Sequence, residues 1–187
     1  MIKSESPFTL SIGQLTIEFL IDERRSLELS TGFSHHGPDY LFAVAEVWIV
    51  HGGSRFQLEN ADRPENLFAF LYELARWAAK PPAPLGLKDA IPCCGWARWM
   101  AGYWDRVRHE LETDEDEKLY AILSSLSFAS THAGAVALYS YGAKHILEVF
   151  SRDGSSSNVC VEFSAQDLSR QVSLLAEAVR ERLAALR

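Results

Sequence analysis

The sequence predicts an α+β protein, in which antiparallel sheets of hairpins and meander carry amphipathic helices packed on them. Three observations predict it. Apolar residues alternate with polar ones at period two in both halves of the chain, over 8–21 and again over 136–163. Turns short enough for hairpins, several containing glycine, separate these runs. Two stretches, 62–80 and 164–187, place capping residues ahead of apolar positions at helical spacing.

Taken in order, Phe8, Leu10 and Ile12, then Leu15, Ile17, Phe19 and Ile21, then Leu27 and Leu29 read as three antiparallel strands, interrupted at Gly13-Gln14 and at 22–25. A loop is expected at 34–39. Residues 41–50 form a longer apolar strand, and His51-Gly52-Gly53-Ser54 is a hairpin turn whose glycines supply positive φ. Residues 55–59 return as its partner. Asp62 and Glu65 stand three apart as a capping box with Pro64 in the first turn, and Leu67, Phe70, Leu71, Leu74 and Ala78 follow on one helical face. This helix stops at Lys80, because Pro81, Pro82 and Pro84 cannot continue it.

Over 95–111, Trp96, Met100, Tyr103, Val107 and Leu111 fit one helical stripe, so a helix is expected despite Gly102. Thr113 and Asp116 make a second capping box, opening a short helix over 115–126. Alternation then returns at Val136, Leu138 and 139–141, at Ile146, Val149 and Phe150, and at Val159, Val161 and Phe163, with turns at Gly142-Ala143 and 153–157. Ser164 caps a last helix with Asp167 three residues on, and its stripe runs through Leu168, Val172, Leu175, Val179, Leu183 and Leu186. A strands-then-helix plan is thus used twice, over 47–79 and over 146–186. Low residue identity between the two makes this a shared architecture and not a demonstrated duplication.

A chain of 187 residues buries about 70% of its unfolded surface when it folds as one unit. A single domain over 1–187 is expected, with the proline-rich stretch 80–92 as an internal crossover. The sequence carries 18 Lys and Arg against 25 Asp and Glu, a formal charge of −7. That sign repels nucleic acid and anionic lipid surfaces, so neither is an expected partner. Arg98, Arg106 and Arg108 are followed at once by Glu110, Glu112 and 114–117, and no basic stripe develops. Residues 1–7 do not resemble a signal peptide, and no run is long enough to span a membrane, so a cytoplasmic location is expected. Cys93, Cys94 and Cys160, odd in number, read as reduced thiols.

Few residues suggest chemistry. His35, His36 and Asp39 share a turn that could hold a metal or move protons, but adjacent histidines on extended chain point apart and no second ligand group has the right spacing. Cys93 or Cys94 could be a reactive thiol near His109 or His132, yet no C-x-x-C pair is present; burial as small hydrophobes is the plainer reading. Serine and glycine placement matches neither a nucleophile elbow nor a phosphate loop. Neither a cofactor nor a structural metal is expected. The acidic run 114–117 suits a helix N-terminus.

The outstanding feature is aromatic, since Trp96, Trp99, Tyr103 and Trp104 fall within nine residues beside three arginines. One helix cannot turn all of these rings to one core, so some belong at the surface, and Trp, Tyr and Arg are the types enriched at binding hot spots. The expectation drawn is a non-enzymatic binding protein, in concrete form a small acidic inhibitor or immunity-type protein that binds a basic protein partner. Its contact residues would be Trp96, Trp99, Tyr103 and Trp104 with Asp114, Glu115, Asp116 and Glu117. The alternatives are a small enzyme or ligand-binding protein with an aromatic-lined pocket, in which two or more of His35, His36, Asp39, Cys94, His109, His132 and His145 converge, and a homo-oligomeric structural subunit.

Overall fold

A computed structural model describes residues 6–33, 40–59, 66–83, 91, 93–124, 127–130, 134–151 and 158–187. Among these residues the fold is α+β, with two four-stranded antiparallel meanders and five helices. The first sheet consists of β1 (Phe8–Ile12), β2 (Leu15–Ile21), β3 (Ala45–His51) and β4 (Ser54–Glu59) in sequence order. The second consists of β5 (Ser127–Ser130), β6 (Gly134–Tyr141), β7 (Lys144–Ser151) and β8 (Asn158–Phe163). Gly13, Gly52, Gly53 and Gly142 all take positive φ at the hairpin turns, conformations that glycine adopts without the strain of a Cβ.

Where a third strand is expected at 27–29, the chain forms helix α1 (Glu23–Gly32), capped by Asp22, whose carboxylate accepts from the Arg25 amide at 2.9 Å. The leucine alternation misleads here because the buried face of α1 is made of serines. Ser26 and Ser30, one turn apart, are both buried. Ser26 Oγ accepts from the Val44 amide at 2.9 Å and Ser30 Oγ from the Phe42 amide at 2.8 Å, so the two hydroxyls satisfy the backbone of the segment leading into β3. Leu27 and Leu29 are only half-buried.

Helix α2 (Leu67–Ala79) buries Leu67, Phe70, Leu71, Leu74 and Ala78, the expected stripe, and ends with Lys80 as its C-cap. Its N-cap is Asn66, whose side-chain oxygen accepts from Phe68 N and Ala43 N, both at 3.2 Å. The Asp62 and Glu65 box lies outside the described residues. Of the connector, Pro81 and Pro82 lean on β6, where Ser140 donates from its amide to Pro82 O at 2.8 Å and from its hydroxyl to Pro81 O at 3.1 Å.

Helix α5 (Ala165–Ala184) is capped by Ser164, whose hydroxyl accepts from the Asp167 amide at 3.3 Å, and buries Leu168, Val172, Leu175, Val179 and Leu183. Leu186 lies beyond the helix and is exposed. Each meander therefore closes with one amphipathic helix, α2 after the first and α5 after the second. The two helices pack against each other, and α5 reaches across to β1. One core unites them: Leu10, Ile17, Phe19 and Ile49 from the first sheet share it with Val136, Leu138, Leu147 and Val149 from the second and with the buried stripes of α2 and α5.

The opposite face of the second sheet holds a separate core. Helix α3 (Trp96–Arg108) lies on it, burying Trp96, Ala97 and Met100 against Ala135, Ala137, Tyr139 and Ile146, and α4 (Asp114–Ser124) adds Leu123. The Thr113 box is formed as expected, since Thr113 Oγ1 accepts from the Asp116 amide at 3.2 Å and Asp116 accepts from the Thr113 amide at 3.1 Å. The second sheet is covered on both faces, and the middle of β6 and β7 is correspondingly apolar on both, with Glu148 as the exception.

Candidate functional site

The aromatic cluster divides into core and surface, as helical geometry requires. Trp96 is wholly buried, stacked on Tyr139 with ring centroids 4.0 Å apart, and its Nε1 donates to Ile91 O at 3.0 Å. It cannot serve as a partner contact in the folded state. Tyr103, two turns on along the same face, is 8% exposed and stacks on Trp99 at 5.7 Å and on Tyr120 of α4 at 4.3 Å. Trp99 and Trp104 are half-buried, and Trp99 packs against the edge of the second core. The Arg106 guanidinium lies 5.1 Å from the Trp99 ring centroid, while Trp104 sets its edge against Tyr120 at 5.4 Å.

The acidic residues border these rings. Asp114, Glu115 and Glu117 are exposed on the first turn of α4, where the helix dipole favours them. Asp116 is different, because its two carboxylate oxygens take Arg106 Nη2 at 2.8 Å and Nε at 3.2 Å. That bidentate hydrogen bond, helped by Thr113, holds its carboxyl below the usual carboxylate range. Asp116 thus locks α4 to α3 and is not a free acidic contact. The Tyr103 phenol is pushed up, first by burial and then by the negative charge of Glu117. Leu111, between the helices, is 66% exposed. The α3–α4 face therefore presents two partly exposed tryptophans and a bare leucine beside exposed carboxylates, on helices joined by stacked rings and an ion pair.

The other sequence candidates do not come together. His35, His36, Asp39 and His132 lie outside the described residues. His109 donates from Nδ1 to Asp105 O at 2.7 Å at the end of α3. His145 shares a hydrogen bond with Ser140 Oγ at 3.1 Å and rests on Phe163. No group of three or more His, Cys, Asp or Glu able to hold a metal occurs among the described residues. A cleft of about 160 Å³ between the β1–β2 turn and the start of α5 is lined by Ser11, Gly13, Glu162, Asp167 and Gln171 among others, none of them a sequence candidate. No helix of the described residues is long and apolar enough to cross a membrane.

The cysteines correct the sequence reading. Cys94 and Cys160 form a disulfide across 66 positions, and Cys93 alone keeps its thiol. Their meeting follows from a residue that sequence reasoning passed over. Glu148 sits in the middle of β7 and is fully buried, an acid inside an apolar strand. Its Oε1 accepts from the Ala97 amide at 3.0 Å, so a strand carboxylate caps α3, whose own N-cap residue, Gly95, has no side chain to do so. Its Oε2 accepts from the Tyr139 hydroxyl at 3.1 Å. Burial pushes the Glu148 carboxyl up, against the opposing pull of these donors. Cys160 is the cross-strand partner of Glu148, and Cys94 stands immediately before α3, so the cap carries one cysteine to the other. The signal available in the sequence was the glutamate between Ile146-Leu147 and Val149-Phe150.

Comparison with known proteins finds no matching family model, no matching curated protein and no matching solved structure. The functional reading rests on geometry and chemistry alone.

Proposed function

We propose that this chain is a non-enzymatic binding protein of the inhibitor or immunity type, whose α3–α4 face covers a basic surface of a partner protein. The observation that carries this reading is the pair of partly exposed tryptophans, Trp99 and Trp104, held on two braced helices beside the carboxylates of Asp114, Glu115 and Glu117. Aromatic anchors ringed by charge are what tight, specific contacts use, the rings slowing dissociation and the charges speeding encounter. A second copy of the chain fits this face poorly, because each copy brings a net charge of −7.

A cytosolic setting belongs to the same reading and brings a requirement with it. Glutathione keeps most cytosolic thiols reduced, so the Cys94–Cys160 bond would have to be open there for much of the time. Partner binding should therefore not depend on that bond.

The test is a paired capture. Wild-type protein and the variants Trp99→Ala and Trp104→Ala are immobilised and offered the proteome of the native source at low and at high salt. The expected result is a stoichiometric basic protein retained by wild type, lost from both variants and released by salt. Neutralising Asp114, Glu115 and Glu117 together should slow its association, most at low ionic strength. Identical retention by wild type and variants would sink the reading.

A further inference from the structure

The strongest arrangement that the binding reading leaves unused lies beneath α3. Cys93, the free thiol, places its sulfur 3.7 Å from Cys94 Sγ, one of the two bonded sulfurs. The same Cys93 sulfur is 3.7 Å from the Tyr139 hydroxyl, which accepts from the Cys94 amide at 3.2 Å and donates to Glu148 Oε2. A thiol, a disulfide sulfur, a phenol and a buried carboxylate thus stand in one chain of contacts. Asn158, at the start of β8, closes the group by donating from Nδ2 to Cys94 O.

The geometry points to an internal thiol–disulfide exchange centre, in which Cys93 competes with Cys160 for the sulfur of Cys94. The step needs no outside reagent. The Cys93 thiol gives its proton to Tyr139 Oη as Tyr139 passes its own to Glu148 Oε2, leaving a Cys93 thiolate and a neutral Glu148 carboxyl. The thiolate attacks Cys94 Sγ, the Cys93–Cys94 bond forms and the Cys94–Cys160 bond breaks. Cys160 leaves as a thiolate and takes a proton from solvent. Glu148 returns its proton to solvent as the centre resets. One disulfide and one thiol are present before and after, so nothing is oxidised or reduced overall.

The structural context suits such a centre. Cys93 and Cys160 are both half-buried at the edge of the second core, and burial raises Glu148 toward the range where a carboxylate can accept a proton. Tyr139 itself is pushed up, by burial first and then by the Glu148 charge, so it relays a proton without ionising for long. Opening the bond leaves β8 joined to the segment before α3 through the Asn158 hydrogen bond to Cys94 O, and α3 keeps its start, because Trp96 stays stacked on Tyr139 and the cap on Ala97 does not involve sulfur. This inference is independent of any partner at the α3–α4 face.

The experiment is a map of thiols and disulfides in the full chain. Protein oxidised with diamide and freed of reagent is held at neutral and at mildly alkaline pH. It is then trapped in acidic denaturant with a methanethiosulfonate and digested with pepsin without reduction. The expected ground state carries label on Cys93 alone. With rising pH, a fraction of chains should carry label on Cys160 with Cys93 joined to Cys94, and each chain that gains label at Cys160 must lose it at Cys93. Cys93→Ser should abolish that fraction, and Glu148→Gln should slow its appearance by about tenfold or more. Label confined to Cys93 at every pH overturns the proposal. So do three labelled cysteines after diamide, or label at Cys94 with Cys93 joined to Cys160. An unchanged rate in Glu148→Gln removes the proton relay.

Discussion

Three tryptophans within nine residues have different fates in this fold, and truncating each to alanine separates core from surface. Trp96 is 0% exposed, stacks on Tyr139 at 4.0 Å and donates to Ile91 O. Its removal empties a space between α3 and the second sheet and leaves a buried carbonyl without its donor. Truncating a buried Trp costs about 3–5 kcal/mol, and 1 kcal/mol lowers Tm by about 2–4 °C at this chain length, so Trp96→Ala should melt roughly 6–20 °C below wild type. Trp99 and Trp104 are half-buried and lose ring contacts of about 1 kcal/mol each, Trp99 also some packing at the edge of the second core, so Trp104→Ala should stay within a few degrees and Trp99→Ala should fall clearly less than Trp96→Ala. Calorimetry and near-ultraviolet circular dichroism read both quantities. A Trp96→Ala protein that melts with wild type would place that ring outside the core. Trp99→Ala or Trp104→Ala falling as far as Trp96→Ala would make their face structural and leave the binding reading without its anchors.

Two further outcomes test the framework. Leu175→Ala, on the buried face of α5 in the core shared by the two meanders, should cost about 2–5 kcal/mol in urea unfolding; an unchanged midpoint would detach α5 from the core. Glu148→Gln should alter the pH dependence of stability. The folded state holds the Glu148 proton more tightly than the unfolded chain, so stability falls as pH rises from the ordinary carboxylate range through the raised value, and the neutral variant lacks that fall. Parallel stability profiles for wild type and Glu148→Gln across mildly acidic to neutral pH would show that burial does not raise this carboxyl.

Local signals determined much of the molecule. The strand alternation at Leu15–Ile21 and in β6 to β8, the glycine turns, the Thr113 and Ser164 caps and the stripes of α2 and α5 all interact within a few residues of themselves, so period and capping chemistry were enough to place them. The same geometry showed that the rings of α3 could not all be buried. What failed at that range was α1, where hydroxyls at Ser26 and Ser30, not the leucines, face inward because the segment at 42–44 needs hydrogen-bond acceptors. No period in the sequence announces that need. The rest depended on contacts between distant positions. That the two meanders share one core through α2 and α5, that Trp96 rather than Trp104 meets the sheet, and that Glu148 caps α3 across 51 positions were all decided by tertiary packing. The disulfide belongs with these, because strand register set Cys160 beside Glu148 and the cap brought Cys94 to it, a juxtaposition that spacing along the chain does not encode.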